Sequence, residues 1–171
     1  MAVQRSDALE AYSVSLLCFE DNFLLLQRSQ TKEFAPGRWT GLGGHVETDE
    51  FSNLRAAGLR EIQEEAGFSP AAISDFSYRR ALLVSRPFQP LRVVLYFTGA
   101  LSKLETPNCP EGVLSWKLVS EFEALDIIET TRSVFECLIE DMERDPKGKE
   151  LLKVGLAIFD LDGKFQQVVW G

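Results

Sequence analysis

The sequence predicts an α+β protein in which a mixed β-sheet carries helices on its faces. Runs rich in β-branched and aromatic residues recur along the chain. Two long segments with helical spacing lie one before and one after the middle strands. The resulting order is strands, helix, strands, helix, strands, which differs from the regular alternation of a parallel α/β sheet. A chain of 171 residues fits one domain.

Eight segments are predicted to be β-strands. Asp21-Asn22 marks the turn of a first hairpin, and Asp162-Gly163 is a strong two-residue signal for the last one. Residues 87–90, which begin and end in proline, form the predicted turn between two middle strands. The strands are residues 11–19, 23–27, 39–42, 73–85, 91–101 and 113–119, followed by the runs VGLAIFD and FQQVVWG.

The first helix is predicted over residues 51–66. Gly67 can take the left-handed conformation that ends a helix. Gly58 indicates that the helix packs closely against a neighbouring element. Three apolar residues at helical spacing form the face directed towards the core: Leu54, Leu59 and Ile62.

A second long helix is predicted over residues 132–144, with Thr130 or Thr131 as its N-cap. A short helix is predicted over residues 121–125, with Ser120 as its N-cap. The whole chain, residues 1–171, is expected to form a single domain with a core at about residues 11–144. The extension at about residues 145–171 is predicted to extend the sheet edge or to contact a second subunit of a homodimer.

The composition is that of an ordinary globular protein with an acidic balance. The chain has 18 basic and 26 acidic residues, a net charge of −8, which argues against stable binding of duplex nucleic acid or an anionic membrane. Three widely spaced cysteines argue against a zinc site or a disulfide framework. No opening segment resembles a signal peptide and no apolar run approaches a membrane span, so we expect a cytoplasmic protein.

The strongest chemical signal is an acidic turn in the first helix. Glu61, Glu64 and Glu65 lie on one helical face, because residues three and four apart are neighbours. Three carboxylates so close repel one another, so a cation is expected among them. Mg²⁺ or Mn²⁺ is the expected cofactor, since both ions favour oxygen ligands. Gly43-Gly44 precedes the helix and lets backbone approach a bound group.

The stretch GGHVETDEFSNLRAAGLREIQEEAGF, residues 43–68, resembles the NUDIX box, the signature of the NUDIX hydrolases. Gly44 and Glu50 match the opening of that pattern, and the run from Arg60 to Phe68 matches its close. Nine residues instead of seven separate Glu50 from Arg60, and we place the extra pair near residues 51–54. The insertion leaves the roles of Glu47 and Glu50 open.

The resemblance implies an α/β/α sandwich and an enzyme that cleaves a diphosphate linkage. It implies metal binding by Glu61, Glu64 and Glu65, with the Gly43 carbonyl as a further ligand. The residues expected to take part in catalysis are Arg60, Glu61, Glu64 and Glu111: Arg60 holds a box glutamate, and Glu111 is a candidate further ligand or base. The residues expected near the substrate are Arg28, Gly44 and His45.

The substrate is expected to be a nucleotide. Nucleoside triphosphates, including oxidised purine forms, are favoured by analogy with short NUDIX chains. ADP-ribose, other nucleotide sugars and dinucleotides are the alternative substrates. An alternative of another class is a NUDIX module that senses a nucleotide without cleaving it.

Overall fold

The computed structural model describes residues 9–86 and 89–171 of the chain. The predictions made for residues 1–8 and for the turn at Pro87 and Phe88 therefore lie outside the described residues. Within the described ranges the strands are β1 (Leu9–Phe19), β2 (Asn22–Arg28), β3 (Trp39–Thr40), β4 (Ser74–Val84), β5 (Leu91–Ala100), β6 (Gly112–Leu118), β7 (Lys153–Phe159) and β8 (Phe165–Trp170).

The strands form one mixed sheet of eight strands in the described part of the chain. The order is β3-β2-β1-β5-β4-β7-β8, and β6 also pairs with β2. Strand β1 runs parallel to β5, and β4 runs parallel to β7, whereas the other pairs are antiparallel. The prediction of a mixed sheet is confirmed.

Helix α1 (Leu54–Ala66) and helix α2 (Glu129–Arg144) cover opposite faces of the sheet. Side chains alternate between the two faces, because successive residues of a strand point to opposite sides. Thus Leu17 belongs to the core under α1, and Leu16 belongs to the core under α2. Ile62 anchors the first core and Phe135 the second, and both are fully buried. The α/β/α arrangement is therefore confirmed.

Helix α1 begins three residues later than predicted. Residues Thr48–Ser52 form a 3₁₀ turn, and Asn53 caps α1 by accepting a hydrogen bond from the amide of Ala56 at 3.2 Å. Gly67 ends the helix with φ of 68°, as predicted. At Gly58 an added Cβ would lie 3.1 Å from Cζ of Phe76, which confirms the close packing inferred from this glycine.

The predicted caps of the later helices are wrong. Helix α2 starts at Glu129, its N-cap is Ile128, and Thr131 is buried inside the first turn. The short helix is a 3₁₀ turn, Val119–Ala124, so Ser120 lies within it. The carboxylate of Glu121 instead accepts a hydrogen bond from the amide of Leu118 at 2.8 Å.

The C-terminal hairpin extends the sheet, with β7 beside β4 and β8 at the outer edge. A buried ion pair joins β4 to α2, since Arg80 donates to Asp141 at 2.6 and 2.9 Å, and the hairpin packs on this pair with the ring of Trp170 4.4 Å from the Arg80 guanidinium. Contact of this hairpin with a second subunit stays a prediction. No described helix combines the length and the apolar character that crossing a membrane requires.

Candidate active site

The glycine segment before α1 is fixed against the central strand β1. The amide of Ser13 donates to the carbonyl of Gly44 at 2.8 Å, and Leu42 and Ser15 exchange two hydrogen bonds of 2.6 and 3.1 Å. Gly43 has φ of 151°, and a Cβ there would lie 2.0 Å from the carbonyl oxygen of Ser13. Only glycine fits this position, so its backbone is held rigidly beside the end of α1.

Glu65 is the buried carboxylate of the site. Only 6% of the residue is exposed, and its Oε2 accepts a hydrogen bond from the amide of Gly43 at 2.7 Å. Burial raises the pKa of Glu65 to about 8, and the negative charges of Glu61 and Glu111 act in the same direction. Without a nearby cation, Glu65 therefore holds a proton at neutral pH.

Arg60 connects three glutamates of the box. Its guanidinium donates to both carboxylate oxygens of Glu50 at 2.6 and 2.9 Å, to Glu61 at 2.8 Å and to Glu64 at 2.9 Å. A fifth hydrogen bond, of 3.0 Å, reaches the carbonyl of His45. The two-pronged contact identifies Glu50 as a carboxylate that positions Arg60. The hydrogen bond that Glu50 accepts from Arg60 lowers the pKa of the Glu50 carboxyl.

The two residues of open role, Glu47 and Glu50, therefore differ in what they contact. The backbone amide of Glu47 donates to Oε2 of Glu50 at 2.9 Å, whereas the Glu47 side chain is exposed. Between Glu50 and the cap Asn53, the 3₁₀ turn takes up the region where the extra residues were placed. The carboxylate of Glu50 reaches Arg60 despite the longer spacer.

Glu61 lies against the glycine segment. A Cβ at Gly44 would come within 2.5 Å of its Oε2, so a larger residue there would displace the carboxylate. Burial raises the pKa of Glu61, and the charges of Glu64 and Glu50 contribute, while Arg60 opposes this shift. Glu64, in contrast, has a side chain that is 60% exposed.

The box carboxylates have the chemistry of a hard-cation site, but their side chains are not yet gathered around one point. Among residues 9–86 and 89–171, no three acidic, histidine or cysteine side chains converge as a metal site. Arg60 draws Glu61 and Glu64 towards itself, while Glu65 faces the Gly43 amide. Burial raises the pKa values of Glu61 and Glu65, and neighbouring carboxylates add to both shifts, so a bound cation would favour their ionised forms. The donor set therefore fits Mg²⁺ or Mn²⁺ once Glu61 and Glu64 turn from Arg60.

A cavity of about 330 Å³ opens beside the glycine segment, between the sheet and the start of α2. Four of the predicted residues line it: Arg28, Gly43, Gly44 and Glu111. Glu111 pairs with Lys32, and Arg28 donates to the carbonyl of Phe34 at 2.9 Å. Of the predicted catalytic residues Glu111 lines this opening, whereas Arg60, Glu61 and Glu64 are not among its lining residues.

His45 lies outside this cavity, exposed, with its ring edge-on to Tyr12 at 5.3 Å between centroids. Sequence reasoning missed several cavity residues that come from distant strands, above all Arg86 and Arg92. A signal for Arg86 was present, because it stands at the end of a predicted strand, as Arg28 does. The sequence does not place Arg86 at the cavity, because this position depends on how β1, β5 and β4 pair in the sheet.

The family model described as NUDIX domain matches residues 10–137, about three quarters of the chain. No curated protein sequence matches the chain. Two similar solved structures are a mutator MutT protein from Bacillus halodurans and a NUDIX hydrolase from Nitrosomonas europaea. The first has 18% identity and a TM-score of 0.63 over 94% of this chain and 97% of that one. The second has 18% identity and a TM-score of 0.66 over 86% and 78%.

A third similar structure is a bifunctional NMN adenylyltransferase/ADP ribose pyrophosphatase from Francisella tularensis, complexed with AMP and a manganese ion. It shares 16% identity and a TM-score of 0.61 over 80% of this chain, but only 43% of that longer chain. At these identities the likeness establishes the fold. The family match supports the prediction of a pyrophosphohydrolase. By its box, its sheet and its match over most of its length, the chain belongs to the NUDIX family.

Proposed function

We propose that this chain is a Mg²⁺- or Mn²⁺-dependent hydrolase that cleaves a diphosphate linkage in a nucleotide. The observation that carries the proposal is the position of the Gly43-Gly44 backbone. It lies against the half-buried Glu61 and the buried Glu65 on one side and lines a cavity with Arg28 and Glu111 on the other. A phosphoanhydride in this cavity would contact the glycine backbone, the guanidinium of Arg28 and the carboxylate of Glu111.

Glu61, Glu64 and Glu65 would hold the cation, with the Gly43 carbonyl and Glu111 as further oxygen ligands. A bound divalent cation polarises phosphoryl oxygens and lowers the pKa of a coordinated water. Glu50 holds Arg60 beside the site, and Arg60 bridges Glu61 and Glu64, which would turn from it to reach the cation. Its planar guanidinium suits this bridging role, because it presents several donors in fixed directions.

The residues of this chain also have roles that follow from their charge and place. Arg28 would contact a phosphoryl group at the opening of the cavity. Glu64 and Glu111 are the candidates for the group that takes a proton from the attacking water, since both have partly exposed side chains. The buried Glu65 is less suited to exchange protons with solvent.

Among nucleotides, we favour nucleoside triphosphates, including their oxidised purine forms. This choice rests on analogy with short NUDIX chains, and the MutT protein from Bacillus halodurans has the same fold over nearly the whole length of both chains. A cavity of about 330 Å³ with aromatic walls at Tyr12 and Tyr96 is in the range that small ligands occupy. The ADP ribose pyrophosphatase neighbour supports the alternative, a nucleotide sugar or dinucleotide substrate.

A nucleotide sensor is the second candidate function, and one observation favours it. Arg60 forms ion pairs with Glu61 and Glu64, so these two carboxylates are partly compensated by the protein itself. A sensor would bind nucleotides in the same cavity and release no product.

A panel of nucleotides incubated with the full chain and Mg²⁺ or Mn²⁺ tests these candidates. The hydrolase should release pyrophosphate or a nucleoside monophosphate, and isotopic water identifies the phosphorus that is attacked. Thermal shifts on nucleotide addition without product across the panel would support the sensor instead. If the panel gave no thermal shift and no product, this result would contradict both functions.

A further inference from the structure

A second cationic point lies in the cavity, remote from the box. Arg86 follows strand β4 and lines the cavity, with its guanidinium 4.4 Å above the ring of Phe159 from the C-terminal hairpin. In the described ranges its Nε is buried without a hydrogen-bond partner. A buried donor with no partner costs free energy, so it indicates a position where a ligand acceptor completes the site.

The charges around Arg86 leave this position positive. Arg92 lines the same cavity and donates to Glu10 at 2.8 Å, which neutralises it. The nearby carboxylate of Glu129 is occupied by Arg38 at 2.9 Å. Arg86 is in none of the ion pairs formed within the described ranges. An uncompensated cation inside a chain of net charge −8 favours an anionic ligand.

The sheet register sets the separation between the two ends of the cavity. Gly44 pairs with Ser13 of β1, and Glu10, three residues earlier, pairs with Arg92 of β5. Strand spacing of about 4.8 Å and a rise of about 3.3 Å per residue place the Arg92 backbone roughly 14 Å from Gly44. Arg92 is in turn paired with Val84, two residues before Arg86.

The wall between these two ends is uncharged. It is formed by Tyr12, Val14, Val94 and Tyr96. A run of phosphates would cross this wall without a cation to pair with, whereas a sugar and base would bury apolar surface against it. A nucleoside therefore suits the space between the two ends better than a chain of phosphates does.

We propose that Arg86 binds a second phosphoryl group, carried on the ribose of the substrate. The substrate class is then a nucleotide with a 5′ diphosphate linkage, triphosphates included, that carries a further phosphate at its 2′ or 3′ position. This inference rests on the proposed function in one respect: it assumes that the diphosphate linkage to be cleaved lies at Gly43-Gly44. Arg86 acts as a specificity residue, and the Phe159 ring, 4.4 Å away, packs against its guanidinium.

Calorimetric binding of AMP, adenosine 2′,5′-bisphosphate and adenosine 3′,5′-bisphosphate to the full chain in EDTA tests this site. We expect one of the bisphosphates to bind roughly tenfold more tightly than AMP, since a charge-assisted hydrogen bond is added. In Arg86→Gln the affinity for the preferred bisphosphate should agree with that for AMP within about twofold. Arg86→Lys should keep part of the preference for the bisphosphate. AMP itself should bind both variants as it binds the wild type.

Arg55→Gln is the matched control, because Arg55 also lies over a phenylalanine ring, Phe76 at 5.6 Å, but does not line the cavity. It should keep the wild-type preference. Equal affinity of the wild type for AMP and both bisphosphates overturns the proposal. So does a preference that survives in Arg86→Gln, or a change only between guanine and adenine nucleotides, which would make Arg86 a reader of the base edge.

This measurement needs no turnover, so it is separate from the proposed hydrolysis. A bisphosphate preference in a chain that cleaves nothing would leave the phosphate site standing and remove the catalytic role. Turnover without a bisphosphate preference would support the catalytic role and remove the phosphate site at Arg86.

Discussion

The arginine–carboxylate cluster around Arg60 on α1 and the one around Asp141 on α2 have opposite charge excesses. On α1, the single Arg60 serves Glu50, Glu61 and Glu64, while Glu65 lies nearby. On α2, the single carboxylate of Asp141 receives three cations at 2.6 to 3.1 Å: Arg80, Arg144 and Lys153. In the first cluster the carboxylates outnumber the single guanidinium, whereas in the second three cations surround the carboxylate of Asp141.

The pKa values follow this difference. Burial raises the pKa values of Glu61 and Glu65, and neighbouring carboxylates add to the shift. Burial alone would also raise the pKa of Asp141, but hydrogen bonds from Arg80, Lys153 and Arg144 outweigh it and lower that pKa. The α2 cluster is complete as a structural link, whereas the α1 cluster gains from a further cation. Removing an acid should therefore have opposite effects at the two places.

The largest expected effect is on catalysis at the α1 cluster. Glu64→Gln and Glu65→Gln, each at saturating Mg²⁺ or Mn²⁺, should lower kcat by several orders of magnitude, because each removes a charged oxygen ligand. Steady-state product release measures this. The control is Glu140→Gln, an exposed glutamate of α2, which should leave kcat unchanged. Wild-type turnover in both box variants would remove the proposed mechanism.

The next effect is on stability at the α2 cluster. Asp141→Asn leaves Arg80, which is 5% exposed, without its charged partner. We expect a loss of about 3–5 kcal/mol in the free energy of unfolding, measured by urea denaturation. Because the folded pKa lies below the ordinary 3.8, the wild-type stabilisation is present above that pH and is lost as pH falls further. A variant as stable as the wild type at neutral pH would show that this cluster is not a structural link.

A change of opposite sign is expected for Glu65→Gln in the metal-free protein. Between the ordinary pKa of 4.5 and the folded pKa of about 8, the unfolded chain releases this proton and the folded chain keeps it. Stability therefore falls as pH rises through this window, and Gln removes the penalty. Unfolding at pH 9 in EDTA should show Glu65→Gln more stable than the wild type by about 2–4 kcal/mol. An identical pH dependence in both proteins would contradict the burial of this charge.

Local patterns were enough to predict much of the fold and the acidic turn. The spacing of Glu61, Glu64 and Glu65 is a property of any helix, so neighbouring sequence is enough to place them on one face. The same holds for the final hairpin, where Asp162-Gly163 specifies a tight turn. The role of Glu50 could not be read, because only the folded 3₁₀ turn brings its carboxylate to Arg60.

Contacts between distant segments account for what the sequence did not reveal. Helix α2 starts early because Arg38 holds Asp126 and Glu129, and Trp39 holds Ile128 by a backbone hydrogen bond of 3.1 Å. A hydroxyl cap is unnecessary when tertiary contacts already fix the first turn. The cavity likewise depends on the parallel register of β1 and β5, which no local pattern specifies.

The smallest expected effect concerns the space that the acid-rich cluster needs. In Gly44→Ala the new Cβ would come within 2.5 Å of Oε2 of Glu61, so the carboxylate must move. We expect about tenfold weaker Mn²⁺ binding, since displacing groups around a metal site typically costs this much. Gly67→Ala is the paired control: it has open space around it and φ of 68°, so it should cost about 1 kcal/mol of stability and leave Mn²⁺ affinity unchanged. Titration of Mn²⁺ followed by electron paramagnetic resonance measures both variants. Equal affinities in Gly44→Ala and the wild type would mean that Glu61 is not a ligand, and the excess of acids on α1 would then need another explanation.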